Sequence, residues 1–421
     1  MKFSRRYEVL IMVLIFGCLL CACEERKSES GKAIAENTQR AKDGKQRAKD
    51  GKQRAREQWE KGYDLPLEDE EQAEAAAECK KMMDKIQSIY KLVDKTEAAE
   101  VVLEDETMLE MQKVVIETGC PVLVTVAYSD MGNYEKAEQF LVDCEKGKRS
   151  SVVIYDIRQD GGINRRKFIY DGIDMYVIST SGVWVENDKP GIAYTTYTRI
   201  KEWKYTENGW FCYKLCVPEP PEVTEIMDGS QLIRIKPRSE EQREMSKLCV
   251  QGIGYKGNNL LCSNWNLDNL DALDYNGLYE CLHRMKYGEH FPSEKYLEGI
   301  PKEEFESLMM EYLPISAERL QEYAEFDEKT KRYAWVPLGC GNYAPNFFGT
   351  SVPEVAAVKE NQDGTITLTV NAVCDMVLCD DALITHDLTV KFKEDGSFQY
   401  WGNEIRKEDR NNVPEYQYRV R

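Results

Sequence analysis

Apolar residues recur at spacings of three and four across residues 68–94, where Ala75, Cys79, Met82, Met83, Ile86, Ile89, Tyr90 and Val93 fall on one face of a helix. The same period predicts shorter helices near 105–118 and 133–145, with a strand at 122–128 between them. Alternation then takes over. SVVIYDI, KFIYD, DMYVIST, IAYTTYTRIKEWKY, WFCYKLCV and LIRIK read as strands, and Asp160-Gly161, Asp171-Gly172 and Asn208-Gly209 supply the positive φ that tight hairpins need. After Pro237 the order repeats. Ser239 with Gln242 three residues on is a capping-box signature for a helix reaching about Val250. Helices follow near 273–287, 302–313 and 316–325, then strands near 331–337, 352–360, 364–375, 382–393 and 397–401, with Asp363-Gly364 and Asp395-Gly396 as turns. Helices followed by antiparallel strands, twice over, predict an α+β fold of two modules, each with N-terminal helices and an antiparallel β-meander. The pattern shows no βαβ alternation, which argues against a doubly wound sheet.

The first sixty residues follow neither period. Lys2, Arg5 and Arg6 precede an almost wholly apolar run at 9–20, too short to span a bilayer comfortably, since about 20 apolar residues are needed. A basic start, a short apolar stretch and a cleavage-compatible end read as a secretory signal. Leu20-Cys21-Ala22-Cys23 is similar to the bacterial lipobox, in which the final cysteine is diacylated, so Cys23 is the expected lipidation site. Cys18 in Ile15-Phe16-Gly17-Cys18 is a second candidate, with a bulky Phe16 beside the cut. Residues 39–59 then repeat nearly the same seven residues three times, QRAKDGK-QRAKDGK-QRAREQW. One alanine per heptad is too little for a coiled coil, and Gly44 and Gly51 each cost a helix about 1 kcal/mol, so the stretch reads as a solvated spacer. The expected organisation is a signal peptide at 1–22, a basic low-complexity spacer at 23–60, and α+β modules at 61–237 and 238–421.

Charge divides the chain at the same place. Residues 24–59 carry a net +4 and residues 1–23 a net +2, which with a total of −18 leaves −24 for residues 60–421. So acidic a body is a poor partner for nucleic acid, whose binding rests on phosphate neutralisation by Lys and Arg. The basic spacer suits a membrane surface carrying anionic head groups, and equally a plain stalk.

Motifs of catalysis are sparse. Gly252-Ile253-Gly254-Tyr255-Lys256-Gly257 matches GxGxxG, but a predicted helix precedes it where dinucleotide binding needs a strand, so no cofactor is expected. His283 and His290 lack a third ligand at metal spacing, and Asp375, Asp380 and Asp381 lack the spacing of a calcium loop, so no metal is expected. His386 follows Asp380 and Asp381 within an alternating strand; a carboxylate–histidine pair can do acid–base work, and a solvent-facing strand residue is the plainer reading. Of 14 cysteines, 11 remain once Cys18, Cys21 and Cys23 are set aside, and buried thiols are their plainest state. Tyr197, Arg199, Lys201, Trp203 and Tyr205 alternate along one predicted strand and so are expected to share a face, a candidate platform for a glycan or a protein unless it packs beneath the helices.

Five stretches carry a resemblance: RIKEWKYTENGWFCYKLCVPEPPEVTE, NNLLCSNW, DYNGLYECLHRMKYG, NYAPNFFGTSVPEV and CDMVLCDDALITHDLTVKF. From Gly62 to the C-terminus the chain resembles an uncharacterised family of clostridial, Gram-positive surface lipoproteins. The family brings no established activity, so the resemblance implies surface location and lipid attachment and assigns no catalytic residue; the heptad repeat lies outside it. The expectation is an extracytoplasmic protein anchored to the outer face of the cell membrane through a diacylglycerol on Cys23, acting in non-enzymatic binding at the envelope. The alternative is a hydrolase of unrecognised class acting on cell-wall or glycan material. A close carboxylate pair in a deep cleft would favour the hydrolase, an open aromatic groove the binder.

Overall fold

Two helical layers and a curled sheet make up the first part of the chain in the computed structural model, which describes residues 57–95, 101–338, 347–374 and 382–419. The signal peptide, Cys23 and the heptad repeat lie outside the described residues, as do Asp375, Asp380, Asp381 and Cys379. Helix α1 (Asp69–Tyr90) forms where the three–four spacing places it and buries Ala75, Cys79, Met82, Met83, Ile86 and Tyr90. Helix α2 (Asp105–Ile116) packs beside it. Strand β1 (Val122–Val124) is shorter than its apolar run suggests. Helix α3 (Tyr134–Glu145) then leads to β2 (Ser150–Ile157), β3 (Ile163–Tyr170), β4 (Met175–Val185), β5 (Lys189–Tyr205), β6 (Trp210–Leu215) and β7 (Ser230–Arg234).

These seven strands form one sheet in sequence order. From β2 to β7 every pairing is antiparallel, with Gly161, Gly172 and Gly209 at positive φ in the turns, as their Asp and Asn predecessors predict. The sheet is not doubly wound, and one parallel pair stands at its edge: β1 lies parallel to β2, with α3 as the crossover. Helices α1 and α2 cover one face, with Tyr155, Ile157 and Ile163 beneath them, while α3 covers the other over Ile154, Phe168 and Val177. Gly182 lets α1 approach, since a Cβ there would sit 2.5 Å from Met83 Sδ and 2.9 Å from Cys79 Sγ. The sheet curls around the α3 face. Phe168 on β3 meets Phe211 and Tyr213 on β6 at ring distances of 5.3 and 5.5 Å, although three strand spacings in a flat sheet would hold them about 14 Å apart.

Helix α4 (Glu240–Met245) opens the second part with the predicted capping box: Gln242 N donates to Ser239 Oγ at 3.1 Å and Ser239 N to Gln242 Oε1 at 3.0 Å. It relaxes into a π-turn (Ser246–Val250). Helix α5 (Tyr275–Tyr287), capped by Asp274, is followed by β8 (Ile300–Pro301), α6 (Lys302–Tyr312), α7 (Ala317–Tyr323), β9 (Phe326–Asp327) and β10 (Arg332–Tyr333), the three short strands pairing among themselves. A four-stranded antiparallel meander closes the fold: β11 (Val352–Glu360), β12 (Ile366–Val373), β13 (Thr385–Phe392) and β14 (Phe398–Ile405). Its inner face, including Leu368, Val370, Leu388, Val390 and Tyr400, packs on the helices. The fold is α+β, with helices ahead of antiparallel strands in each part. Among the described residues no disulfide joins two cysteines, and eight of the nine described cysteines are buried.

Candidate functional site

Strand β5 does not present its five aromatic and basic residues together. A β-bulge at Lys201 interrupts the pairing with β6, where Ile200 faces Leu215 and Glu202 faces Lys214. One extra residue puts the two ends of the strand out of phase. Tyr197 and Arg199 therefore point to the α1 face. There residues 62–65 run along the strand edge: Arg199 N donates to Gly62 O at 2.6 Å and Leu65 N to Tyr197 O at 2.9 Å, while Trp59, in the helical turn just before them, stands edge-on to Tyr176 and Tyr197 at 5.9 Å each. Trp203 and Tyr205 turn to the opposite face with Ile200, where Trp203 packs on Tyr170 and Phe211, and Tyr205 donates to Glu138 Oε1 on α3 at 3.0 Å. Lys201 stays at the surface, 3.4 Å from Glu219. The shared face expected from simple alternation is thus split in two.

The most built-up cavity lies instead where the seven-stranded sheet meets the second part of the chain. It encloses about 510 Å³, within the ordinary range for small-molecule sites. Apolar wall comes from Leu123, Val126, Ile233, Ile253 and Val352, and charge from Asp156, Arg166, Arg234, Arg238 and Glu354. Each charged group is held by its element. Arg166 on β3 pairs with Asp156 on β2 at 3.0 Å. Arg234, at the end of β7, lies 5.0 Å over the Trp210 ring and donates to Glu354 Oε1 on β11 at 2.6 Å. Arg238, just beyond β7, sits 5.3 Å over the Tyr128 ring, 3.7 Å from Glu354 and 3.7 Å from Asp130, which Arg243 also engages. Tyr128 donates to Pro353 O at 2.6 Å, tying the two halves, and holds a left-handed φ of 57°, an uncommon and costly state for a bulky residue. Burial pushes the Glu354 carboxyl up from its ordinary value against the pull of Arg234 and Arg238, and pushes Arg234 down.

Gly252 and Ile253 of the GxGxxG stretch line this cavity, yet the motif follows a π-turn, and the next α-helix starts only at Tyr275. It lacks the strand-to-helix setting that would aim backbone amides at a pyrophosphate.

His386 is not at the surface. It is wholly buried, with Nε2 2.8 Å from Tyr255 Oη and Nδ1 2.6 Å from Asn403 Oδ1. Asn403 spends its amide on the carbonyls of Leu261 and Ser263, so its oxygen faces the imidazole, Nδ1 donates, and the bare Nε2 accepts from Tyr255. Burial lowers its pKa to about 4, so the ring is neutral.

A second, open groove crosses the outer face of the meander. Asp387 on β13 stands opposite Glu404 on β14, and Trp401 and Thr389 lie alongside. Asp387 accepts from Thr369 Oγ1 at 2.8 Å and Glu404 lies 3.5 Å from Arg410. Among the described residues no group of three or more His, Cys, Asp or Glu is placed to hold a metal, and no helix is long and apolar enough to cross a membrane.

Fold and site define a two-part α+β protein with a charged, semi-apolar cleft between its parts. Residues 72–419 match a family of unknown function (DUF6070), and the chain belongs to that family. No curated protein and no solved structure matches the chain.

Proposed function

We propose that the chain is an extracytoplasmic, lipid-anchored protein that binds a small ligand in the cleft between its two parts. The cleft carries the binding half of this reading: both parts contribute wall, and buried ion pairs from Arg234 and Arg238 to Glu354 hold a charged surface in place without a ligand. The anchoring half rests on Leu20-Cys21-Ala22-Cys23 at the end of the apolar run. Two measurements test it. Cells fed an alkyne-tagged fatty acid should label the wild-type protein and not Cys23→Ser; label that persists in the variant moves the site to Cys18 or removes the anchor. A thermal-shift screen of small acids and envelope glycans against the full-length chain should give a stabilising ligand whose effect disappears in Val352→Trp, which fills the cleft mouth from a position already half exposed.

One observation supports the hydrolase reading: Asp387 and Glu404 are cross-strand neighbours beside Trp401. Two carboxylates so placed can share acid and nucleophile roles on a glycan. Release of reducing sugar from cell-wall material, lost in both Asp387→Asn and Glu404→Gln, would establish it.

A further inference from the structure

Arg238 is the least satisfied charge in the cleft. Its side chain is 4% exposed. A guanidinium has five donors, yet among the described residues Nε has no partner and the other nitrogens reach nothing nearer than Ser129 O at 3.4 Å, with both carboxylates at 3.7 Å. Arg234, by contrast, makes bonds of 2.6 and 2.7 Å to Glu354 and to Lys236 O. Around the cavity, three arginines face two carboxylates, so the lining carries a positive surplus inside a protein of net charge −18. Asp130 does not close the deficit, because it stands outside the cavity lining and is engaged by Arg243. A charge buried without full pairing is costly, and a counter-charge that completes the pairing removes that cost. The apolar part of the lining is a different surface: Leu123, Val126, Ile233, Ile253 and Val352 offer no hydrogen-bonding side chain.

Resting on the cleft as the ligand site, we infer that its ligand is a small amphipathic organic anion, with a carboxylate or similar head on Arg238 and an apolar body against the aliphatic wall. The head meets a planar donor fork that suits two oxygens at once. Tyr128, stacked on Arg238 and bonded to Pro353 O, keeps the fork from turning away when the cleft is empty.

Octanoate, octanamide and inorganic phosphate separate the parts of this inference by calorimetry on the full-length chain. Octanoate is expected to bind at least tenfold tighter than either of the others, and Arg238→Met to erase the difference between octanoate and octanamide. The comparison on wild-type protein needs no variant, so poor folding of Arg238→Met does not blunt the test. Equal binding of octanoate and octanamide would overturn the anion inference and leave the cleft reading standing. Phosphate binding as tightly as octanoate would overturn the apolar half. Silence from all three would overturn both the inference and the cleft reading beneath it.

Discussion

His386 shows how one buried side chain ties distant stretches together and sets a pH limit. Its partners Tyr255 and Asn403 both spend polar atoms on it, and the neutral ring is the form they fit. Because its folded pKa, about 4, lies below the ordinary 6.5, the unfolded chain binds the extra proton between those values. The stability this contributes is present above about pH 6.5 and is lost as pH falls toward 4, at up to about 1.4 kcal/mol per pH unit. In an NMR titration of the three histidines, His386 should stay neutral at pH 5.5, and His386→Gln should flatten the slope of unfolding free energy over that window. A midpoint near 6.5 for His386 would contradict the burial. The sequence could not place this residue. Its strand alternates, which marks two faces without saying which one is buried, and Tyr255 lies 131 residues away.

Among the elements, β5 shows what alternation reveals and what it hides. Helices α1 to α3 were legible from three–four spacing, and α4 from Ser239 and Gln242, because the signals are local. The hairpins were legible from Asp-Gly and Asn-Gly. The bulge was missed, though a trace of it is present: Ile200 and Trp203, both turned to the α3 core, lie three apart, a spacing that a regular strand cannot put on one face. Cross-part ion pairs left no such trace, since Arg234 and Glu354 are 120 residues apart. Lys201 itself is at the surface, so Lys201→Ala should change stability by no more than about 0.5 kcal/mol. Inserting an alanine between Glu202 and Trp203 should cost more than about 3 kcal/mol, because the added step turns Trp203 and Tyr205 out of the core together, whereas deleting Lys201 only removes the extra residue and leaves Ile200, Trp203 and Tyr205 in phase. Chemical denaturation of the variants checks this; an insertion as mild as the Lys201→Ala change would show that the strand's phase does not hold Trp203 and Tyr205 in the core.

At the scale of the whole molecule, the described residues from Glu57 onward form one compact unit. If the heptad repeat is a spacer, removing residues 39–52, two whole repeats, should leave the melting temperature unchanged, since a solvated tether contributes little to a packed core. A drop of several degrees would mean that the repeat packs on the body. The central claim is that a ligand sits between the two parts, where the β1–α3 loop, the end of β7 and the start of β11 meet. Hydrogen exchange of the full-length chain with and without octanoate tests it most directly. The account predicts slowed exchange confined to residues 123–130, 231–238 and 351–354, with the β13–β14 groove unchanged. Protection centred on residues 385–405, or none anywhere, would contradict it.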